Sequence, residues 1–175
     1  MASNRLNSQP QWLEAGVTSF NVATLPYPGA LGAFYEKDGK KYQLVKCDST
    51  SGNLAANDVV LWLDYDDFVV TNDVSDVSAT AAVAASFPAG VAVGTVTAGR
   101  YCFIQVRGPA TVRTNQDDDM AKGDVLIADG DEDGQCDSTA AGTAPINIPL
   151  GVATADDDNT ADTVAAILIV PLNGA

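Results

Sequence analysis

The 175-residue chain has no histidine, only nine Lys plus Arg, three cysteines and two tryptophans. Each shortage removes a class of chemistry. Without histidine, the usual proton shuttle near neutral pH and the commonest metal ligand are missing, so Ser-His-Asp and Cys-His catalysis are excluded. His-containing zinc sites are excluded as well, and three scattered cysteines cannot build a four-cysteine site. Nine bases against 23 acids leave a net charge of −14, which makes nucleic acid and anionic membranes poor partners. No glycine-rich phosphate loop with its lysine and no dinucleotide fingerprint occurs. An enzyme built on this chain would be confined to carboxylate, Lys or Tyr chemistry, and no cofactor is expected.

Cys47, Cys102 and Cys136 form no C-x-x-C pair and read as reduced, partly buried thiols, with one disulfide as the alternative. The N-terminus has no apolar signal core, and the longest apolar run, Val164 to Val170, is too short to span a bilayer. A soluble protein made in a reducing cytoplasm is the expectation.

What the chain does have is aspartate. Of the acids, 20 are Asp and three are Glu (Glu14, Glu36 and Glu132). Asp competes with the helical backbone and collects in turns and caps, so the acidity is expected in loops. With 19 Val, 14 Thr and 15 Gly, the composition leans towards strands joined by turns.

Residues 1–30 carry Gln9-Pro10-Gln11-Trp12 and Leu25-Pro26-Tyr27-Pro28-Gly29, a proline density that resists both helix and central strand. They read as an extended arm with Trp12, Phe20 and Tyr27 as anchors, folded back on its own domain or bound to a partner. Asp38-Gly39 follows, between Ala33–Lys37 and Lys40–Val45, and Asp-Gly is a strong two-residue hairpin turn. It places Glu36 opposite Lys41 and Tyr35 opposite Tyr42. Lys37, Lys40, Lys41 and Lys46 gather four of the nine bases there, either on a solvated tip or in contact with an acidic partner.

Further strands are expected at 57–63, 67–71, 91–96, 101–106, 110–113, 124–128, 151–154 and 163–172. Gly108-Pro109 is read as a break, Thr80 to Ser86 as a short helix or a crossing segment, and 129–137 as an acidic loop. The whole is all-β: a small β-barrel or β-sandwich over residues 31–175, as one domain or as modules 31–88 and 89–175. A faint echo runs through it. Ala55-Ala56-Asn57-Asp58 before an apolar strand resembles Ala121-Lys122-Gly123-Asp124 before another, as two ordinary units or a duplicated one.

Two constellations bear on chemistry. Asp129-Gly130-Asp131-Glu132-Asp133-Gly134 has the oxygen spacing of a calcium loop, but the twelfth position is Ala140 where a bidentate Glu belongs. That leaves Asp129, Asp131 and Asp133 as a weak Ca²⁺ candidate beside a plain acidic turn. Asp64, Asp66 and Asp67 beside Trp62 and Tyr65 are the best sugar-type site, for a carbohydrate- or host-surface-binding module.

The second half of the chain resembles capsid cement, or head-decoration, proteins of tailed bacteriophages. The likeness rests on Gly90–Gly94, Thr97–Ala110, Ala121–Leu126, Gly151–Ala153 and the apolar close Val164 to Leu172; the acidic stretch 129–137 departs from the shared pattern. The resemblance implies a non-enzymatic β-rich protein that assembles on the outside of the virion capsid, as a homotrimer or in some relatives a dimer, with the major capsid protein as partner. On that reading the arm, through Trp12, Phe20 and Tyr27, and the hairpin, through Lys37, Lys40 and Lys41, would touch the shell.

Overall fold

A computed structural model describes residues 31–80, 87–115, 119–140, 142, 147–157 and 162–171. The arm 1–30, with Trp12, Phe20 and Tyr27, and the Ala-rich segment 81–86 lie outside the described residues. The fold is all-β. The strands are β1 (Phe34–Lys37), β2 (Lys40–Cys47), β3 (Val59–Asp64), β4 (Val69–Thr71), β5 (Pro88–Ala92), β6 (Tyr101–Arg113), β7 (Val125–Ala128), β8 (Cys136–Thr139), β9 (Gly151–Ala153) and β10 (Thr163–Ile169). One helical turn, Val74–Val77, is capped by the Asp73 carboxylate.

The hairpin forms in the expected register, with Glu36 opposite Lys41 and Tyr35 opposite Tyr42. Asp38 and Gly39 both take positive φ, 52° and 75°, as a primed turn requires. From β2 the sheet runs β4, β3, β5, β6, and β6 pairs back to β2, closing a five-stranded barrel. Beyond β6 the sheet continues β10, β9, β7, β8, and a parallel bridge from Thr114 to Cys136 brings β8 back to the end of β6. A closed barrel and a second, barrel-like ring of strands that only this bridge closes therefore share β6.

The two barrels repeat one topology. β2 pairs parallel with β4 in the first, as the end of β6 meets β8 in the second; β3–β5 and β5–β6 match β7–β9 and β9–β10. The hydrogen bonds repeat too. Asp58 accepts from the Ala55 N–H and its own N–H donates to the Ala55 carbonyl; Asp124 does the same with Ala121. Asn57 (φ 71°) donates to Ala92 O as Gly123 (φ 99°) donates to Ala153 O. Gly90 and Gly151 each lie so close to the neighbouring strand that a Cβ would sit 2.6 Å from Gln105 O or 2.5 Å from Ile167 O. The echo in the sequence is a structural duplication, legible in Gly90-Val91-Ala92 and Gly151-Val152-Ala153. A single apolar cluster runs from Val45 in the first barrel to Val170 beyond the second, and β5 and β6 complete the first barrel from beyond residue 88.

Several expectations need correction. Gly108-Pro109 does not end a strand: β6 runs unbroken from Tyr101 to Arg113, with Pro109 in register with Ile167. The reason is a bulge. Lys41 pairs with Arg107 and Tyr42 with Gln105, so Val106 is extra, and Gly108 (φ 90°) gives the strand its bend. β8 occupies Cys136–Thr139, overlapping the end of the expected acidic loop, because its partner β7 supplies the ladder that local composition does not announce. β5 begins at Pro88 and stops at Ala92.

A Cβ at Gly108 would collide with the carbonyl of Gly39 and lie 3.1 Å from Lys40 Cα, whereas one at Gly39 meets open space. Gly108→Ala is expected to cost about 2–4 kcal/mol from clash and positive φ together, and Gly39→Ala about 1 kcal/mol from φ alone. Urea unfolding of both variants measures the difference.

Candidate functional site

The β1–β2 hairpin tip rests on Gly108, at the bulge where β6 leaves one barrel for the other. That contact builds a groove lined by Glu36, Lys37, Asp38, Gly39, Lys40, Lys41 and Arg107. Four of the nine basic residues of a −14 chain thus line one groove. Lys41 is held within it, 3.8 Å from Glu36 and 4.5 Å above the Phe34 ring. The groove is suited to a carboxylate-bearing surface. Sequence placed the three lysines together; Arg107 joins them only because β6 pairs with β2.

A second cluster joins the two barrels. Asp58, 1% exposed, accepts from the Ala55 N–H at 2.7 Å, Asn72 Nδ2 at 2.9 Å and Arg113 Nη1 at 3.2 Å. Gly134 packs so tightly on this carboxylate that a Cβ would lie 2.8 Å from Asp58 Cγ. Its N–H donates to Asn72 O, and its carbonyl accepts from the Val59 N–H. Asp58 is therefore a structural clasp, which the sequence signalled only as one Asp ending a turn.

Asp129, Asp131 and Asp133 are not brought together. Asp129 accepts from the N–H groups of Asp131 and Glu132, Asp133 accepts from the Val74 N–H, and Asp131 is exposed. Among the described residues, no group of three or more His, Cys, Asp or Glu is arranged to hold a metal ion. In the sugar-type candidate, Trp62 and Tyr65 stack with centroids 5.0 Å apart, but Trp62 is 4% exposed and presents no open face. Asp64 is occupied by the N–H groups of Asp66 and Asp67. The three cysteines are buried and form no disulfide, and burial pushes the Cys47 thiol up to about 11 and the Cys102 thiol well above its ordinary value.

Fold and sites define an all-β protein of two fused barrels with one basic groove. Neither a family model nor a curated protein matches the chain. Among solved structures it is similar to the head fiber gp8.5 N base of bacteriophage phi29, at TM-score 0.47 and 16% identity, covering 73% of this chain and 92% of that one.

Asp58→Ala leaves Arg113, Asn72 and the Ala55 N–H without their acceptor, and is expected to lower stability by about 3 kcal/mol. Two carboxylates pull the pH dependence in opposite directions. Burial, the largest influence, raises Asp58 against the lowering by its hydrogen bonds and by Arg113. The folded state then holds that proton more tightly than the unfolded chain, so the Asp58 contribution grows as pH falls through the raised value. Asp48 is lowered, first by the Thr50 hydroxyl and further by Ser51. Its contribution is present above the unfolded carboxylate value of about 4 and is lost as pH falls below it, modestly because the group is solvent-facing. Urea midpoints measured against pH should fall less steeply on the acid side for Asp48→Asn than for wild type, and more steeply for Asp58→Asn.

Proposed function

We propose that this protein is a structural component of a phage virion, a cement subunit that binds the major capsid protein on the outer capsid surface and stabilises its lattice. It works without a cofactor and without catalysis, as a homotrimer. The observation that carries the reading is the basic groove, a fixed positive patch on a chain of net charge −14. Its hairpin is braced on β6 through Gly108, so the lysines are offered on a stiff support, and the arm 1–30 leads directly into β1. The resemblance of residues 40–172, clearest after Gly90, to head-decoration proteins supports the same role. The braced patch and the segment 1–30 engage two points of a repeating lattice, and modest contacts repeated over many copies sum to firm attachment.

Co-sedimentation with empty capsids of the phage that encodes the chain tests this. Wild type should bind in fixed stoichiometry; Lys37→Glu/Lys40→Glu and a chain lacking residues 1–30 should each bind at least tenfold more weakly. Equal binding by both variants would remove groove and arm from the contact. A glycan that binds wild type but not Tyr65→Ala would favour a carbohydrate-binding module instead.

A further inference from the structure

The duplicated barrels differ in how their outer faces are covered. Outside the first, Leu44 and Phe103 are sealed by Tyr35, Tyr42, Val93 and Tyr101, with the Tyr35 ring edge-on to Phe103 at 5.1 Å. Outside the second, β10 is apolar on its outward positions as well as its inward ones. Ala165, Ile167, Ile169 and the following Pro171 are all exposed, Ile167 to 40% and Ile169 to 46%. Their cross-strand neighbours extend the strip: exposed Pro109 on β6 and half-buried Val152 on β9 both pair with Ile167. A strand apolar on both faces has the pattern of one covered on both faces.

The border of this strip is basic at its Arg107 end, Arg113 at the other end being paired with Asp58. The β6 positions that alternate along its border are Arg107, Pro109, Thr111 and Arg113, and no carboxylate occupies an outward position of β6, β9 or β10. Arg107 pairs with Ile169 and also lines the basic groove, so the apolar strip continues into a positive rim. The chain carries the complement elsewhere. The β3–β4 turn exposes Leu63 (37%) and Tyr65 (40%) among exposed Asp64, Asp66 and Asp67, with Tyr65 propped on the buried Trp62 ring.

We propose that the β3–β4 turn of a second copy docks on the β10 strip, Leu63 and Tyr65 against Ile167 and Ile169, with Asp66 and Asp67 facing Arg107. The contact is head-to-tail, so a docked pair keeps one free turn and one free strip and successive copies close into a ring or extend as a chain. It rests on the homotrimer of the proposed function and names its contact, whereas capsid attachment is measured separately and can fail separately.

Sedimentation velocity over a concentration series, with the full chain, tests the contact. Wild type should form a defined multimer, and Ile167→Lys/Ile169→Lys should sediment as single chains that keep the β-sheet circular dichroism of wild type and a cooperative melt whose midpoint no longer depends on concentration. Ile167→Thr, which keeps a β-branched residue in the strand, should weaken association without loss of fold. Arg107→Glu should raise the dissociation constant about tenfold, and adding Asp66→Lys and Asp67→Lys to it should recover most of that loss. A photo-crosslinker at position 167 should capture the peptide carrying Tyr65 from another copy. The proposal is overturned by a wild type that is a single chain at every concentration, by folded Ile167 and Ile169 variants that associate as wild type does, by failure of the charge swap to rescue, or by crosslinks that fall in residues 1–30.

Discussion

The structure depends on one strand serving two barrels. β6 is buried on both faces from Cys102 to Val106, where β2 and β5 flank it and β1 lies outside. From Arg107 onwards it alternates in the manner of a strand with one wet face, and there β10 is its partner. The change of role needs a change of direction, and the extra residue Val106 with Gly108 provides it. A bulge leaves backbone carbonyls without ladder partners, and the Gln105 amide answers by donating towards the carbonyls of Arg107, Gly108 and Pro109 at 3.2, 3.2 and 2.8 Å. The same bend gives the hairpin its seat, so the basic groove is a by-product of how two barrels share a strand.

The abundance of Asp has a structural explanation of the same kind. Asp48, Asp64, Asp73 and Asp129 each accept from backbone N–H groups two or three residues on. Asp58 and Asp124 each close an Ala-x-x-Asp turn from its far end, and Asp133 and Asp156 accept from Val74 and Lys122. Short strands need many turns, and Asp satisfies turn donors without a helix. The net charge of −14 follows from that use and leaves the few bases to mark the surfaces that differ. Asp58 is the deepest of these carboxylates, 1% exposed, and three donors from both barrels converge on it.

Much was legible locally. The Asp38-Gly39 hairpin and its register, the all-β class, most of the strands and the lysine cluster all follow from turn chemistry and period-two patterning, which act over a few residues. The duplicated turn was visible as Ala-x-x-Asp twice, though nothing local showed that Gly90 and Gly151 make equivalent approaches to the next strand. The apolar run 164–170 falls within the strand expected at 163–172. It is a strand, but every second residue from Ala165 to Ile169 stands in solvent.

The sequence by itself determined the strands, the turns and the exclusion of histidine- and zinc-based chemistry, because these rest on composition and on neighbours in the chain. Only the tertiary structure decided that Gly108-Pro109 is a bulge within a strand, that Arg107 joins the hairpin lysines, that Asp58 holds two barrels together, and that the calcium-like spacing of Asp129, Asp131 and Asp133 does not converge. Each of those depends on which strand lies beside which, and pairing between residues far apart in the chain is set by closing the barrels, not by any local preference.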